Sequence, residues 1–518
     1  MPRGWWWTDS HRLTEQQNPT TGRASCPAGL IGSPLHQRVR LRRPPAVLRN
    51  QIGRYEENGA AATTRYFIAI KSVHHNVGVT GEVTPLIVAR PDHPVSRGGL
   101  SSSAVKVLYR LHRSGYTSYL VGGAVRDLLL GGQPKDFDVA TNAKPQEIRR
   151  LFKNSRIIGR RFRLVHVIFR GEIVEVATFR ASPEPPEGPD DWDEAEAEAA
   201  EADAEPDRTP APTRVDRAIY GNPAEDAQRR DFTINGLFYN ISDFSVIDYV
   251  GGLEDLKAGL VRTIGEPVQR FREDPVRMLR ALEYSARLSF AIETGTRDAI
   301  VECCDEITEA SPARLSYELF ETLRSGNAAA IYSAWRGAGL FDSAFPGIAG
   351  VAREDIRVLT EIDRAITHGD RLADSTLIGA FYLYPFFREF AEVTTDGRKL
   401  DNVEMLRRIT TMLEPAATGL RLSNHTFHLL SQGLFTLTKM QRAPERGRQV
   451  LKLARQEYFG VALGLFRLAG KAGLVPAEAT QGWSKALEHM RKPTEATTSE
   501  DEAPARTKRR RRPRRRRR

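Results

Sequence analysis

Two aspartates separated by one residue, Asp136 and Asp138, are the side chains whose type and spacing most directly suggest chemistry. Residues 135–140 alternate as a strand does, and residues two apart on a strand project from the same face. Neighbouring carboxylates repel each other unless a cation lies between them. Mg²⁺ held together with phosphate oxygens is a usual occupant of such a pair. The spacing therefore favours a metal and phosphate site over two solvated aspartates.

A glycine turn precedes the aspartate pair. The apolar run Ser118–Val121 predicts a strand that breaks at Gly122 and Gly123, and residues 124–130 then follow a helical pattern. A helix that starts directly after such a turn presents unbonded backbone N–H groups, with Arg126 one turn in. A glycine pair by itself would indicate an ordinary turn. The order strand, glycine turn, helix, turn and aspartate pair instead predicts a phosphate cradle beside a metal.

Glu175 is a third carboxylate of interest. It lies in a predicted strand at 172–179, on the same face as Ile173 and Ala177. An unpaired charge on an otherwise apolar face is costly. Two interpretations stay open, namely a third carboxylate beside the metal and an edge residue that faces water.

The elements that must position these residues are short strands and helices up to about residue 264, followed by helices alone. A helix at 273–288 has a clear start, with Asp274 as its N-cap and Pro275 as its first helical residue. From there to about residue 487 the apolar spacing is helical. The remaining predicted helices are at 101–114, 145–152, 224–240 and 253–260, and the remaining strands are at 157–169 (strand, turn, strand), 245–250 and 261–264.

Composition narrows the class of protein. Of the 518 residues 40% are hydrophobic and 27% charged, and no apolar run approaches the ~20 residues of a membrane span. Three cysteines, Cys26, Cys303 and Cys304, are too few and too badly placed for a disulfide framework or a zinc site. We therefore expect a protein of the reducing cytoplasm with no membrane partner.

The charge is unevenly distributed along the chain. Residues 506–518 carry eleven Lys and Arg, which equals the net charge of +11, while residues 184–207 hold twelve acids and no base. The other parts of the chain are therefore basic, and the acidic segment balances them. A basic body with a basic tail indicates a polyanionic partner, most simply a nucleic acid.

Five motifs, in order, resemble those of a known family, the class II polymerase-beta-type nucleotidyltransferases. This branch holds bacterial poly(A) polymerases and CCA-adding tRNA nucleotidyltransferases. The resemblance is strong over residues 91–347 and weaker over the helical remainder. The motifs are GGAVRD (122–127), DFD (136–138), RRDFTIN (229–235), DYVGGLEDL (248–256) and EDPVRMLRA (273–281).

The resemblance implies roles for the site residues. Asp136 and Asp138 would hold two Mg²⁺ ions for phosphoryl transfer from ATP to an RNA 3′-hydroxyl. Asp231 would reach the active site near the nucleotide ribose, against the alternative of a buried salt bridge with Arg229 or Arg230. The other residues implied in nucleotide binding are Gly122, Gly123, Arg126, Arg230 and Asn235.

Asp274 and Arg277 lie three residues apart on one helix face and can form a fork. An aspartate accepts from an exocyclic amine, and an arginine donates to the neighbouring ring nitrogen. Adenine and cytosine present this pattern, whereas guanine and uracil present the reverse and would leave both groups unpaired. The pair predicts selection of A and C, without a choice between them. Its alternative role as a helix cap and partner is compatible with this one.

Two features favour the poly(A) polymerase branch. The segment IIGRRFRLVH (157–166) resembles a signature of those enzymes, and the Arg-rich C-terminus suits binding to RNA 3′ ends with little sequence specificity. The expected function is template-independent addition of AMP in RNA 3′ processing and decay, with RNA-decay proteins as candidate partners. The alternatives are a CCA-adding enzyme and a non-catalytic RNA-binding protein.

The expected fold is α+β, a nucleotidyltransferase head with a mixed five-stranded sheet followed by an all-helical neck, body and tail. The expected divisions are an extension of uncertain order (1–83), the head (91–264, with a disordered acidic insert at 181–216), the neck (265–347), the body and tail (348–490) and a disordered Arg-rich terminus (491–518).

Overall fold

The computed structural model describes residues 84–159, 163–181, 220–350, 356–395, 401–441, 444 and 447–491. The predicted N-terminal extension at 1–83, the acidic residues 184–207 and the Arg-rich terminus lie outside the described residues. The same holds for Arg160, Arg161 and Phe162 of the IIGRRFRLVH segment.

A mixed sheet forms the N-terminal part, and eight strands belong to it among the described residues. Their spatial order is β1-β8-β7-β2-β3-β6-β5-β4. The strands β3 and β6 are parallel, and every other neighbouring pair is antiparallel. The strands are β1 (Leu86–Val88), β2 (Ser118–Val121), β3 (Asp138–Thr141), β4 (Ser155–Ile158), β5 (Leu164–Phe169), β6 (Glu172–Thr178), β7 (Leu237–Asn240) and β8 (Val246–Asp248).

Two helices cover one face of this sheet. Helix α1 (Ser102–Arg113) starts at Ser101, whose Oγ accepts a hydrogen bond from the backbone N–H of Ala104 at 3.0 Å. Helix α3 (Pro145–Leu151) starts with a proline at its first position. Their apolar faces pack on the buried valines of the central strands in one continuous core. The aspartate pair is therefore left for the opposite face, next to a small apolar cluster that includes Val121, Ala140 and Phe238.

The prediction of five strands was too low, and two local assignments explain part of the difference. Residues 237–240 were predicted as the end of a helix but form β7, which pairs with β2 and β8 in the middle of the sheet. A short, fully apolar run can belong to a buried helix or a central strand, and here pairing on both sides decides for the strand. Strand β1 precedes residue 91, where ordered structure was expected to begin, because three residues carry too little pattern to be recognised.

The remaining helices of the head are short. They are α2 (Gly123–Leu129), α4 (Pro223–Gln228) and α5 (Gly252–Ala258), together with a 3-10 turn at Thr233–Asn235. The predicted strand at 261–264 is β9 (Leu260–Val261), which pairs in parallel with β10 (Ala291–Ile292) in a separate two-stranded sheet. Residue 264 lies outside β9, although Phe232 and Thr263 form an isolated bridge.

Helices make up the C-terminal part. Trp335 is buried and donates a hydrogen bond from Nε1 to the carbonyl oxygen of Leu279 at 2.8 Å, which ties α10 to α7. In the described residues no helix combines the length and the apolar character needed to cross a membrane. The helices are α6 (Pro267–Glu273), α7 (Val276–Leu288), α8 (Thr294–Cys303), α9 (Pro312–Leu323), α10 (Ala328–Gly337), α11 (Leu340–Ala344), α12 (Pro346–Ala349), α13 (Ile356–Thr367), α14 (Asp374–Ala380), α15 (Leu383–Thr395), α16 (Asn402–Gly419), α17 (Asn424–Met440), α18 (Gly447–Ala454), α19 (Phe459–Lys471) and α20 (Ala477–Arg491).

Candidate active site

The glycine turn and the aspartate pair meet at one end of two neighbouring strands. Asp138 opens β3 directly opposite Val121, the last residue of the antiparallel strand β2. Gly122 therefore lies beside the start of β3. The glycine turn and the aspartates, which a helix and a second turn separate in the sequence, are therefore adjacent in the structure.

Asp136 and Asp138 are both exposed to solvent. Enough protein nevertheless surrounds the Asp138 carboxyl to make ionisation costly. This loss of solvation raises the pKa of Asp138 to about 6, and the negative charge of Glu175 adds to the shift. The guanidinium of Arg230 opposes it, and the charge of Asp136 again raises it. The pair thus concentrates negative charge that a cation would neutralise.

The donor set fits Mg²⁺, which prefers carboxylate oxygens and keeps positions for water and phosphate. Within the described residues no group of three or more His, Cys, Asp or Glu could enclose a metal ion. A metal held here would therefore take its remaining oxygens from a nucleotide and from water. The two aspartates would supply the anchoring ligands and leave the remaining positions to the nucleotide and water.

Glu175 lies beside this pair and has a partner of its own. Its Oε1 is 3.2 Å from Nε2 of His166, the residue directly opposite on β5. Strand β6 is internal to the sheet, so Glu175 is not an edge residue, although 47% of its side chain is exposed. Its charge acts on Asp138, but it does not complete a described cluster of three metal ligands.

The glycine turn depends on a conformation that suits glycine. Gly122 has φ +71° and ψ −139°, and its N–H donates to the carbonyl oxygen of Leu237 at 3.2 Å. A Cβ on Gly122 would lie 3.1 Å from Nη1 of Arg230, which brings that guanidinium beside the turn. Gly123 begins α2. The roles of both glycines towards phosphate stay predictions.

Arg126 is buried, with 2% of its surface exposed, and several groups surround its guanidinium. It donates to Oδ1 of Asp127 at 2.8 Å and to Oδ1 of Asn235 at 2.6 Å, and it lies 4.9 Å from the ring centroid of Tyr284. Burial by itself would lower the pKa of Arg126, but Tyr284 and Asp127 outweigh it and raise the pKa. The residue is thus a charged link between the turn, the RRDFTIN segment and α7. Its contact with phosphate stays a prediction.

Asp231 is part of a buried ion pair with a partner that the sequence did not indicate. Its Oδ2 accepts hydrogen bonds from Nε and Nη2 of Arg280 on α7, rather than pairing with Arg229 or Arg230. Its Oδ1 accepts from Nδ2 of Asn235 and from the backbone N–H of Phe232. Burial would raise the pKa of Asp231, but the charge of Arg280 and these hydrogen bonds lower it. Asp231 is therefore ionised and fixed in place.

Arg230 and the segment around it are held from α4 and α6. Arg230 donates from Nη2 to Asp226 at 2.9 Å and stacks its guanidinium on Phe238 at 5.3 Å. Arg270 donates to the backbone carbonyl oxygens of Arg229 and Arg230 at 2.6 and 2.7 Å. These contacts orient Arg230 towards the face that carries Gly122 and Asp138.

Asp274 and Arg277 lie on one side of the start of α7, as predicted, with Arg277 Nε 3.9 Å from Asp274 Oδ2. The helix begins at Val276, later than predicted, and Asp274 has an extended backbone. Pro275 already has helical dihedral angles, φ −60° and ψ −23°, so Asp274 keeps the extended backbone of the predicted N-cap. The Oδ1 of Asp274 still accepts from the N–H of Val276 at 3.3 Å, as a capping side chain would.

The fork has a third member, Arg314 of α9. Its Nη2 lies 2.6 Å from Oδ2 of Asp274, which holds the carboxylate in position. Arg277 in turn donates to the carbonyl oxygen of Arg270 and to Glu273. Both members of the predicted fork are thus pre-positioned by neighbouring helices.

Sequence reasoning missed three residues of this network, namely Arg280, Tyr284 and Glu318. Arg280 donates to Oε1 of Glu318 at 3.4 Å and to the hydroxyl of Tyr284 at 2.9 Å. A signal existed, because Arg280 and Tyr284 continue the helical spacing of Asp274 and Arg277 and so extend the same polar face. Polar residues that continue the face of a predicted nucleotide-binding pair indicate further members of the same site.

The DYVGGLEDL segment (248–256) supports the site by its contact with the RRDFTIN segment. The buried carboxylate of Asp248 accepts hydrogen bonds from the backbone N–H groups of residues 250 to 253 at 2.9 to 3.1 Å. These bonds fix the start of α5. A Cβ on Gly252 would lie 2.1 Å from the carbonyl oxygen of Thr233, so only glycine permits this approach to the RRDFTIN segment.

Comparisons with known proteins agree with this geometry. A family described as the poly A polymerase head domain matches residues 118–262, which contain the glycine turn, the aspartate pair and Asp231. A second, described as the probable RNA and SrmB-binding site of polymerase A, matches residues 289–351. Fold and site together define a nucleotidyltransferase head joined to a helical RNA-binding region.

Curated relatives identify the family. The chain is 37% identical over 396 residues to poly(A) polymerase I of Salmonella typhi, covering 74% of this chain and 81% of the relative. It is 37% identical over 326 residues to poly(A) polymerase I of Haemophilus influenzae, covering 61% and 69%. Similarity to the CCA-adding enzyme of Bacillus velezensis is 32% over 251 residues, covering 48% and 57%. The chain belongs to the bacterial poly(A) polymerase family.

A solved structure shares the fold. The CCA-adding enzyme of Bacillus stearothermophilus, solved in complex with CTP, aligns with a TM-score of 0.51 at 24% identity and covers 75% of this chain and 81% of that one. The similarity supports the α+β head followed by helices.

Proposed function

We propose that this protein transfers AMP from ATP to RNA 3′ ends without a template, in RNA 3′ processing and decay. The observation that carries the proposal is the position of the exposed Asp136 and Asp138 pair at the glycine turn, in a chain 37% identical to a poly(A) polymerase over 74% of its length. The RNA 3′-oxygen forms a bond to the α-phosphorus, and the bond between the α- and β-phosphates breaks to release pyrophosphate.

In this proposal Asp136 and Asp138 hold two Mg²⁺ ions, which supply charge neutralisation for the attacking and leaving oxygens. The pKa of Asp138, raised to about 6, is consistent with a carboxylate whose negative charge a bound cation would neutralise. Asp231 is held ionised by Arg280 and orients Asn235 and the turn around it towards the nucleotide. The proton of the 3′-hydroxyl leaves to solvent. The chain's own contribution is positioning and charge, because the protein itself forms no covalent bond during phosphoryl transfer.

The triphosphate lies, in this proposal, against the glycine turn. Gly122 and Gly123 allow close approach of the phosphates, and Arg230 is the guanidinium nearest to both the turn and Asp138. Arg126, which is buried behind Gly123, contributes positive charge and holds Asn235 in place. A guanidinium already hydrogen-bonded on one side acts without reorganisation during the reaction.

Base selection rests on Asp274 and Arg277, with Arg314 as the residue that fixes the aspartate. Adenine and cytosine both satisfy this pair, and guanine and uracil do not. The choice of ATP over CTP is supported by the similarity to poly(A) polymerases, which covers more of the chain than that to CCA-adding enzymes. We also propose the division into head (91–264), neck (265–347) and helical body and tail (348–490), with β1 added to the head.

The test is nucleotide incorporation on a labelled generic RNA with Mg²⁺, with ATP, CTP, GTP and UTP offered singly. Long ladders with ATP, lost in an Asp136→Ala/Asp138→Ala double variant, are the expected result. Arg407→Ala, which removes one exposed ion pair far from these motifs in sequence, is the matched control and should keep the ladders. One or two additions confined to tRNA would instead favour the CCA-adding activity. Failure of the wild-type protein to extend any RNA would contradict the proposal.

A further inference from the structure

One exposed aromatic side chain lies between the two halves of the site. Tyr317 on α9 has 63% of its surface exposed, and it is the one aromatic residue among the exposed large apolar side chains of the described chain. Exposed aromatic rings beside nucleic-acid sites commonly serve as stacking platforms for bases. The position of this ring therefore decides whether it has such a role.

Contacts at both ends of one helix face fix that position. Arg314 binds Asp274 of the base-reading fork at 2.6 Å. Glu321 binds Lys135, the residue directly before Asp136, at 2.7 Å. Positions 314, 317 and 321 are neighbours on one face of a helix. Tyr317 therefore lies between the fork and the loop that contains Lys135 and Asp136, on the side of α9 that faces both.

The surroundings of Tyr317 agree with this placement. Glu318, the next residue, is buried against Arg280, so α9 packs closely on the network around Asp231. Burial on one side raises the pKa of the Tyr317 hydroxyl to about 12, and the charges of Glu321, Glu318 and Glu175 contribute. Because Glu175 is on β6 beside Asp138, the Tyr317 hydroxyl lies within electrostatic reach of the catalytic sheet face.

We propose that the ring of Tyr317 binds the base of the RNA's 3′-terminal nucleotide by stacking. The inference rests on the proposed function. The adenine of ATP is assigned to Asp274 and Arg277, so the platform between that fork and the aspartates serves the other reactant. The 3′-hydroxyl must approach Asp136 and Asp138, and a terminal base held on Tyr317 positions its ribose for that approach.

The experiment compares wild type with Tyr317→Phe, Tyr317→Leu and Tyr317→Ala on RNA primers of about six nucleotides. We expect the KM for primer to rise about 5- to 100-fold in the Ala variant, with the KM for ATP unchanged. The Phe variant should retain primer affinity, and the Leu variant should behave like Ala because it lacks a planar ring. Equal primer KM in all four proteins would overturn the proposal.

A second primer with an abasic 3′-terminal nucleotide completes a double-mutant cycle. If the ring stacks on that base, the abasic primer should bind wild type and Tyr317→Ala equally. An undiminished difference between the two proteins would contradict stacking. Direct binding of both primers, measured without ATP, keeps the test independent of the activity. Wild-type ladders with unchanged primer binding in the Ala variant would refute this inference and leave the proposed function intact.

A separate observation concerns the outer surface of the head. Three basic residues, Lys106, Arg110 and Arg113, form a stripe along α1 at helical spacing. Arg110 lies over the ring of Phe152 at 5.2 Å, which connects the stripe to the end of α3. We call the following set the basic face, and each member is exposed: Lys106, Arg110, Arg113, Arg149, Arg150, Lys153 and Arg156.

Four of the seven members of the basic face come from one strongly basic segment of the chain. Residues 149–170 contain eight Lys and Arg and no Asp or Glu. Within the described part of the chain, no member of the basic face takes part in an ion pair. Arg156 on β4 lies in one row of paired residues with His166, Glu175 and Asp138. That row crosses three strand spacings, or roughly 15 Å, from the aspartates to the edge of the sheet.

The geometry points to the basic face as a binding surface for RNA phosphates upstream of the 3′ end. The row of paired residues joins Asp138 to Arg156 on the edge strand β4, where the cations of the basic face have no ion-pair partner among the described residues. Contacts with phosphates do not depend on the RNA sequence. This inference also rests on the proposed function. A dinucleotide at the aspartates would be too short to cross this row, whereas a longer RNA would reach the face as well.

The test is a variant with Arg110, Arg149, Arg150 and Lys153 changed to Gln. The control carries the same charge change at the exposed residues Arg357, Arg371, Arg388 and Arg467. Affinity for RNA of about 30 nucleotides should fall in the first variant, and the slope of log Kd against log salt should decrease by about 0.7 for each lost phosphate contact. Affinity for a dinucleotide, which is too short to cross that row, should not change. Equal losses for both RNAs, or in both variants, would overturn the inference.

Discussion

Arg280 donates to Asp231 with two nitrogens, Nε at 2.9 Å and Nη2 at 2.7 Å from the same oxygen. Asp231 belongs to the segment that follows α4 in the head, and Arg280 lies in the middle of α7. The other oxygen of Asp231 is occupied by Asn235 and by the N–H of Phe232. The pair therefore fixes α7, which follows Asp274 and carries Arg277, against the sheet that carries Asp138.

Arg280→Ala should lower the free energy of unfolding by about 3–5 kcal/mol, because Asp231 and Glu318 would be left buried without their cation. Denaturant unfolding followed by circular dichroism measures the loss. Arg407→Ala is the matched control, since its pair with Glu404 is exposed and its loss should leave the stability nearly unchanged. An Arg280→Ala/Asp231→Asn double variant should lose less than the sum of the Arg280→Ala and Asp231→Asn losses. Additive losses would show that the two residues act independently.

Mg²⁺ affinity should fall as pH falls below about 6. The pKa of Asp138 is raised to about 6, so the metal-free carboxyl is protonated below that value and must lose its proton to bind metal. Calorimetric titration with Mg²⁺ between pH 5 and 8 should show a loss approaching tenfold per pH unit on the acid side. Glu175→Gln removes a neighbouring negative charge and should move the midpoint to lower pH. A pH-independent affinity would contradict the assignment of Asp138.

Glu318 should make stability depend on pH in the opposite sense from an ordinary carboxylate. Burial raises its pKa to about 7, with Arg280 opposing the shift. A native pKa above the unfolded value of 4.5 means that the folded protein binds the extra proton, so this stabilisation is complete below about 4.5 and is lost as pH rises through about 7. The difference in free energy of unfolding between wild type and Glu318→Gln should change by at most about 3 kcal/mol across that range. A constant difference would refute the raised pKa.

The sequence was informative where chemistry demands fixed local spacing. The glycine turn is one such case, because Gly122 has φ +71°, a conformation that suits glycine. The aspartate pair is only partly so: the strand predicted over 135–140 is observed as Asp138–Thr141, and Asp136 precedes it instead of sharing a strand face with Asp138. The fork of Asp274 and Arg277 followed from helical spacing in the same way. The start of its helix is local in the same way, since Asp274 is extended and Pro275 has helical dihedral angles.

Contacts between distant segments could not be predicted by the same means. The partner of Asp231 is 49 residues away, and that of Asp274 is 40 residues away, so no local pattern joins them. The sequence pattern predicts a helix at the middle strand Leu237–Asn240, because burial on both faces removes the alternation that identifies a strand. Strand count and buried ion pairs depend on tertiary neighbours.

Gly252→Ala should destabilise the head more strongly than an ordinary glycine substitution. Its Cβ would lie 2.1 Å from the carbonyl oxygen of Thr233, a backbone atom that cannot move without displacing the RRDFTIN segment. Because four backbone N–H groups bonded to Asp248 hold the start of α5, the helix cannot retreat to relieve the contact. We expect a loss of at least about 3 kcal/mol in stability, together with a higher KM for ATP, since Asn235 and Asp231 lie in the displaced segment.

Gly460→Ala, at a helical position with open space around it, should instead be neutral or stabilise by up to about 1 kcal/mol. Equal thermal unfolding of the two variants would show that the approach of α5 to Thr233 does not require glycine.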